Sequence, residues 1–97
     1  MRLCYTARAA QDLREIADYL KERNPAAARA VRDGILGSMR TLVMFPEIGR
    51  RQTVDDVRKF VTRRYPYLVY YRLDREADEI VVLTIQHPAR QREHSDR

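Results

Sequence analysis

The sequence predicts an α+β domain of order β-α-α-β-β-β: an antiparallel sheet with an N-terminal helical hairpin packed on one face. Three observations predict it. Residues 57–87 are crowded with Val, Ile, Tyr, Phe and Thr, with breaks only around Tyr65-Pro66 and over 74–79. That is the pattern of a meander of extended, half-buried strands. Residues 7–44 instead repeat their apolar side chains at helical spacing. Between the two helical stretches stands Asn24-Pro25, and so short a turn forces the helices to run antiparallel.

Each element has its own signals. Residues 3–5 read as a short strand. Thr6 can cap the helix that follows, its hydroxyl accepting an orphan amide of the first turn. The first helix is predicted over 7–23, with Leu13, Ile16, Ala17 and Leu20 on one face. Arg8 with Asp12, and Arg14 with Asp18, stand four apart and read as a solvated helix surface. Pro25 suits the first position of the second helix, predicted over 25–44, with the stripe Ala28, Val31, Ile35, Met39 and Leu42. Gly34 and Gly37 inside it each cost roughly 1 kcal/mol relative to Ala, which predicts the close approach of another backbone. Met39 and Met44 read as core filler. Pro46 stops the helix and Gly49 permits a turn. Residues 50–56 read as a polar loop. The last strand, 80–85, is almost continuously apolar, as a central strand would be. The polar tail over 88–97 is expected to be loosely ordered.

The totals restrict function. Ninety-seven residues make one domain, 1–97. A hydrophobic content of 44% excludes general disorder. No apolar run nears bilayer length and no leader opens the chain, which predicts a cytoplasmic protein with no membrane partner. Cys4 is the only cysteine, so no internal disulfide forms, and it reads as a small buried hydrophobe. One cysteine and two histidines in a polar end predict no metal site, and three scattered glycines make no phosphate loop; no cofactor is expected. The net charge is +5. Residues 50–75 hold eight basic and three acidic side chains, a balance of +5, so the strands carry the basic surface as well as the core. Such a surface suits nucleic acid or an acidic protein, and a non-toxic module that binds nucleic acid through the basic sheet alone is one reading of it.

What remains for chemistry is arginine, tyrosine and His87. Arg58, Arg64 and Arg72 are expected along the meander, with Tyr65, Tyr67 and His87 near strand ends. Metal-free RNA cleavage would need such a set: a base for the 2′-hydroxyl, an acid for the leaving oxygen and cations on the phosphate.

The runs Thr6-Ala-Arg-Ala-Ala-Gln-Asp-Leu-Arg-Glu-Ile, Phe45-Pro-Glu-Ile-Gly-Arg, Val57-Arg, Tyr65-Pro-Tyr-Leu-Val-Tyr-Tyr-Arg and Ile85-Gln-His-Pro-Ala-Arg-Gln, in this order, resemble the RelE/ParE toxin superfamily of bacterial type II toxin–antitoxin modules. The resemblance spans about residues 3–92. It implies one of two activities. ParE-like members, known as plasmid stabilisation proteins, poison DNA gyrase and have no reaction of their own. RelE-like members are endoribonucleases that cut messenger RNA on the ribosome. In the nuclease branch the third strand of the meander opens Arg-Leu-Val-Tyr and its arginine holds phosphate; here Tyr67 stands in that place. An acid–base histidine or tyrosine stands near the end of the last strand; His87 matches, with Pro88 where a tyrosine is common. The basic face of that branch is rich in lysine, and this sheet has only Lys59. These departures favour the ParE-like branch, so His87 is catalytic only if the chain is a nuclease. The resemblance also implies growth arrest, a hetero-oligomer with a cognate antitoxin (a small DNA-binding protein) and a toxic role for the C-terminal part. Expected target contacts are Arg58, Arg72, His87 and Arg90. Expected antitoxin contacts are Leu20, Val31 and Ile35, on helical stripes with more apolar residues than one face needs.

Overall fold

The computed structural model describes residues 1–88. Its elements are β1 (Arg2–Tyr5), α1 (Ala7–Arg23), α2 (Pro25–Met44), β2 (Arg50–Arg51), β3 (Val57–Val61), β4 (Leu68–Asp74) and β5 (Glu79–Gln86). The α+β class and the element order are as predicted, with one strand more: Arg50–Arg51, expected in a loop, pairs antiparallel with Arg58 and Lys59. The sheet runs β1-β5-β4-β3-β2. It is mixed, because β1 lies parallel to β5, from Arg2 beside Glu79 to Tyr5 beside Val82. A parallel neighbour requires a crossover, and the two helices supply it. β5 therefore sits inside the sheet, between β1 and β4, which accounts for its apolar run.

Local signals set the helix ends. The Thr6 hydroxyl accepts from the Ala9 amide at 3.1 Å and donates to the Leu83 carbonyl at 2.8 Å, so one side chain caps α1 and fastens it to β5. Asn24 closes both helices: its amide donates to Leu20, and its side-chain oxygen accepts from Ala27 at 3.1 Å, with Pro25 following.

The core lies between the helices and one sheet face. Val31, Ile35, Met39 and Leu42 of α2 meet Phe60, Val69, Tyr71, Ile80, Val82 and Ile85. On α1, Leu13, Ile16 and Leu20 are only partly buried, Ala17 is exposed, and Ala9 is the fully buried residue. Cys4 is half-buried in β1.

Four expectations change. Met44 is not core: it is 72% exposed at the end of α2, whereas Met39 is buried. Neither helix glycine admits a backbone. A Cβ on Gly34 would lie 3.4 Å from the Tyr65 ring, and one on Gly37 would meet only Arg40 of its own helix. Asp12 is not solvated surface. Although it lies 3.9 Å from Arg8, its carboxylate accepts from the Thr84 hydroxyl at 2.5 Å and the Ile85 amide at 3.0 Å. It thereby occupies the edge of β5 beyond the end of β1. Arg14 donates to Gln11 instead of pairing with Asp18.

Candidate functional site

Strand register decides where the arginines go. Side chains directly opposite one another share a face, and successive residues alternate. Arg58 is opposite Tyr71, whereas Arg72 is opposite Val57 and Val81. The two expected target contacts therefore lie on opposite faces of the sheet. Arg58 shares the side of the buried Tyr71 and is engaged there, donating to the carbonyls of Glu47 at 3.1 Å and Gly49 at 2.9 Å. Arg72 is exposed on the other face and forms no ion pair among the described residues. Glu79 pairs with Arg2.

His87 lies elsewhere again. It follows β5 beside Tyr67, whose ring it meets edge-to-face at 5.6 Å and 80°. From there to Arg72 is five residues along β4, roughly 17 Å at ~3.3 Å per residue. Arg90 lies outside the described residues, as does the tail beyond Pro88. Arg64 is exposed in the β3–β4 turn with φ 70°. Thr62 organises that turn, donating to Tyr65 and accepting from the Tyr67 amide at 2.9 Å.

The wall around His87 is a cleft of about 360 Å³ whose lining includes Asp12, Glu15, Tyr19, Leu20, Tyr67 and His87. Two carboxylates border it, and none of the described lining residues is lysine or arginine. Burial foremost, with Tyr19 nearby, raises the Tyr67 phenol above the ordinary tyrosine value. It is therefore neutral at pH 7 and cannot serve as a phenolate base. The sequence reading missed this wall. Its signal was Asp12, Glu15 and Tyr19, three and seven apart on one stripe of α1.

The three expected antitoxin contacts do converge. Leu20, Val31 and Ile35 all line an apolar groove of about 250 Å³ between α1 and α2, with Leu36 beside them and Arg14 and Arg32 at its border. Val31 and Ile35 are 5% and 4% exposed and form the floor; Leu36 is 42% exposed. Among the described residues no three His, Cys, Asp or Glu side chains gather as a metal site, and no helix is long and apolar enough to cross a membrane.

Known proteins share this fold. Residues 3–92 match the family model described as the ParE toxin of the type II toxin–antitoxin system parDE. The chain is 31% identical over 90 residues to the "Putative toxin Y4kP" of Sinorhizobium fredii, covering 93% of this chain and 91% of that one. In three dimensions it resembles a chain of the chromosomal ParDE system of P. aeruginosa, with a TM-score of 0.76 and 29% identity over 90% of this chain and 95% of that one. It shares its fold with a chain of the E. coli RelBE toxin–antitoxin complex, with a TM-score of 0.67 and 17% identity over 88% and 93%. With its sequence matched from β1 past the end of β5, this chain belongs to the ParE toxin family of type II toxin–antitoxin systems.

Proposed function

We propose that this toxin arrests growth by binding DNA gyrase, and that a cognate antitoxin neutralises it. The composition of the His87 cleft carries the reading. A metal-free ribonuclease must gather cations around the phosphate next to its acid and base. Here the described residues give His87 two carboxylates and a neutral Tyr67 as neighbours, while Arg58 and Arg72 lie on opposite sheet faces. Among the described residues, a phosphate in that cleft would meet like charge. The ParDE likeness, with the higher identity and TM-score, points the same way.

The groove between the helices fits the antitoxin. Its floor is apolar and its border carries Arg14 and Arg32, which suits an amphipathic segment with acidic flanks. The relatives of known structure from E. coli and M. tuberculosis were solved as toxin–antitoxin complexes. The test uses purified toxin in two assays. Inhibition of gyrase supercoiling, relieved by the antitoxin, is expected. Ribosome-dependent cleavage of messenger RNA with supercoiling untouched would defeat the reading.

A further inference from the structure

The sheet face turned away from the helices carries a row of basic side chains, and strand register puts them there. Arg50 stands directly opposite Lys59, and Lys59 directly opposite Tyr70, so the three cross β2, β3 and β4 in one line. Arg72 lies two residues past Tyr70 on the same face. It is diagonal to Lys59, roughly 7–8 Å away. The helices pack on the other face, with Tyr71. Polar groups on that side are engaged within the fold. The Tyr71 hydroxyl donates to the Pro46 carbonyl at 2.7 Å and accepts from the Gly49 amide at 2.9 Å, and Arg58 braces the same turn. Arg50, Lys59 and Arg72 form no ion pair among the described residues. Like charges directly opposite one another lower stability, so the fold gains nothing from setting Arg50 against Lys59.

Neighbouring carboxylates leave the row positive. Asp74 and Glu79 share this face at the end nearest the β4–β5 turn. Glu79 is held by Arg2, and the Asp74 carboxylate accepts from the Ala77 amide at 3.1 Å. Arg2, Arg50, Lys59 and Arg72 against these two leave a balance of +2. Asp55 and Asp56 line a different pocket, with Arg51, Arg58 and Arg75. Toward the other end, the β3–β4 turn adds the exposed Arg63 and Arg64, and residues 57–73 contain no Asp or Glu.

The arrangement specifies the occupant. The cations are strung out and do not converge on one point, which suits a run of phosphates. A protein partner would meet the wrong order. Protein interfaces keep charge at the rim and apolar or aromatic groups at the centre, whereas here Lys59 is central and Val57, Val61 and Val81 surround it. A second copy would bring the same charge and be repelled. A single strand needs exposed rings on which to stack its bases, and Tyr70, the one ring in the row, is half-buried. A duplex keeps its bases stacked and presents its backbone, which arginine and lysine hold without reading sequence.

We propose that Arg50, Lys59 and Arg72 on the outer sheet face hold the phosphate backbone of duplex DNA. The toxin would thus grip the DNA on which its target works as well as the target itself. The choice of DNA over RNA rests on the gyrase reading; the phosphate-binding face does not.

The experiment titrates purified toxin against a short labelled DNA duplex of mixed sequence at several salt concentrations, with no gyrase present. Wild type is compared with Arg50→Gln, Lys59→Gln, Arg72→Gln and the triple variant. Arg29→Gln, which removes an exposed cation of α2, is the control. Each outer-face change should lower the slope of log affinity against log salt by about 1, and the triple variant by about 3. Arg29→Gln should leave the slope at its wild-type value. Melting should stay at or above wild type in Arg50→Gln and Lys59→Gln, since each removes the like-charge contact. An unchanged slope in the triple variant, or an equal loss in Arg29→Gln, would overturn the proposal. So would tighter binding of an RNA duplex of the same sequence, which would give the face to RNA. Variants that bind DNA normally but lose gyrase affinity would make the face a protein contact and overturn it too. DNA binding as expected, with supercoiling untouched by the toxin, would uphold this face and remove gyrase as the target.

Discussion

At the scale of single residues, the closest fit in the molecule is Gly49 against Tyr71. A Cβ on Gly49 would lie 2.6 Å from the Tyr71 oxygen and 2.7 Å from its ring, closer than atoms pack. Gly49→Ala should therefore lower stability by about 1–3 kcal/mol, as overpacking does. Tyr71→Phe leaves the Gly49 amide and Pro46 carbonyl without their partner and should cost about 1–3 kcal/mol. The double variant should lose less than the two singles together, because removing the oxygen relieves part of the clash. Denaturant titration of the four proteins checks this. The tyrosines also set an alkaline limit. Burial raises the phenols of Tyr5, Tyr67, Tyr70 and Tyr71 above 10.0; at Tyr71 it outweighs the lowering by the Gly49 amide and Arg58. The folded state thus binds protons more tightly than the unfolded chain. This stability is whole below the ordinary tyrosine pKa and is lost as pH rises through the folded values. Melting temperature should fall above about pH 10, and more gently in Tyr71→Phe.

At the scale of elements, the joint between α1 and β5 matters more than the helix surface. β1 covers β5 only as far as Val82. Past it, an open edge would leave donors and acceptors unpaired. α1 closes this edge through Thr6, which donates to Leu83, and Asp12, which takes the Thr84 hydroxyl and the Ile85 amide. Asp12→Ala should cost about 2–3 kcal/mol, the scale of losing hydrogen bonds to a charged acceptor. Asp12→Asn keeps an acceptor oxygen and should cost less. Amide exchange at Ile85 provides the reading: it should accelerate in Asp12→Ala well before the rest of β5 does. Uniform acceleration across the sheet would mean that Asp12 acts on global stability alone.

At the scale of the whole molecule, the basic charge of the described residues is dispersed rather than focused. Arg58 braces the turn after α2, Arg72 faces away on the opposite sheet surface, and His87 stands at the far end of β4 among carboxylates. On the proposed reading the toxin uses its target's chemistry and needs contacts, not an assembled acid, base and phosphate clamp. His87→Ala should therefore leave growth arrest within a few-fold of wild type, whereas an acid or base catalyst would lose about 10²–10⁴ in rate. A loss of that size in a variant that melts normally would return the chain to the nuclease branch.

What the chain decided on its own is whatever depends on near neighbours. Thr6 starting α1, Asn24-Pro25 separating the helices and Pro46 ending α2 all act over one helical turn, so they were legible without coordinates. The stripe Val31, Ile35, Met39 and Leu42 was legible for the same reason, since helical spacing alone places it on one face. The groove shared by Leu20, Val31 and Ile35 was legible in outline as a surplus of apolar residues. Tertiary structure decided what depends on pairing across long stretches of chain. β1 joins β5 over 77 residues and in parallel. Asp12 becomes an edge partner of β5 instead of a surface charge, and Met44 is left outside the core. Most of all, register separated the basic candidates. Arg58 and Arg72 belong to one charged stretch of sequence, yet with a two-residue period a single step in pairing sends a side chain to the other face. No count of charges along the chain contains that step.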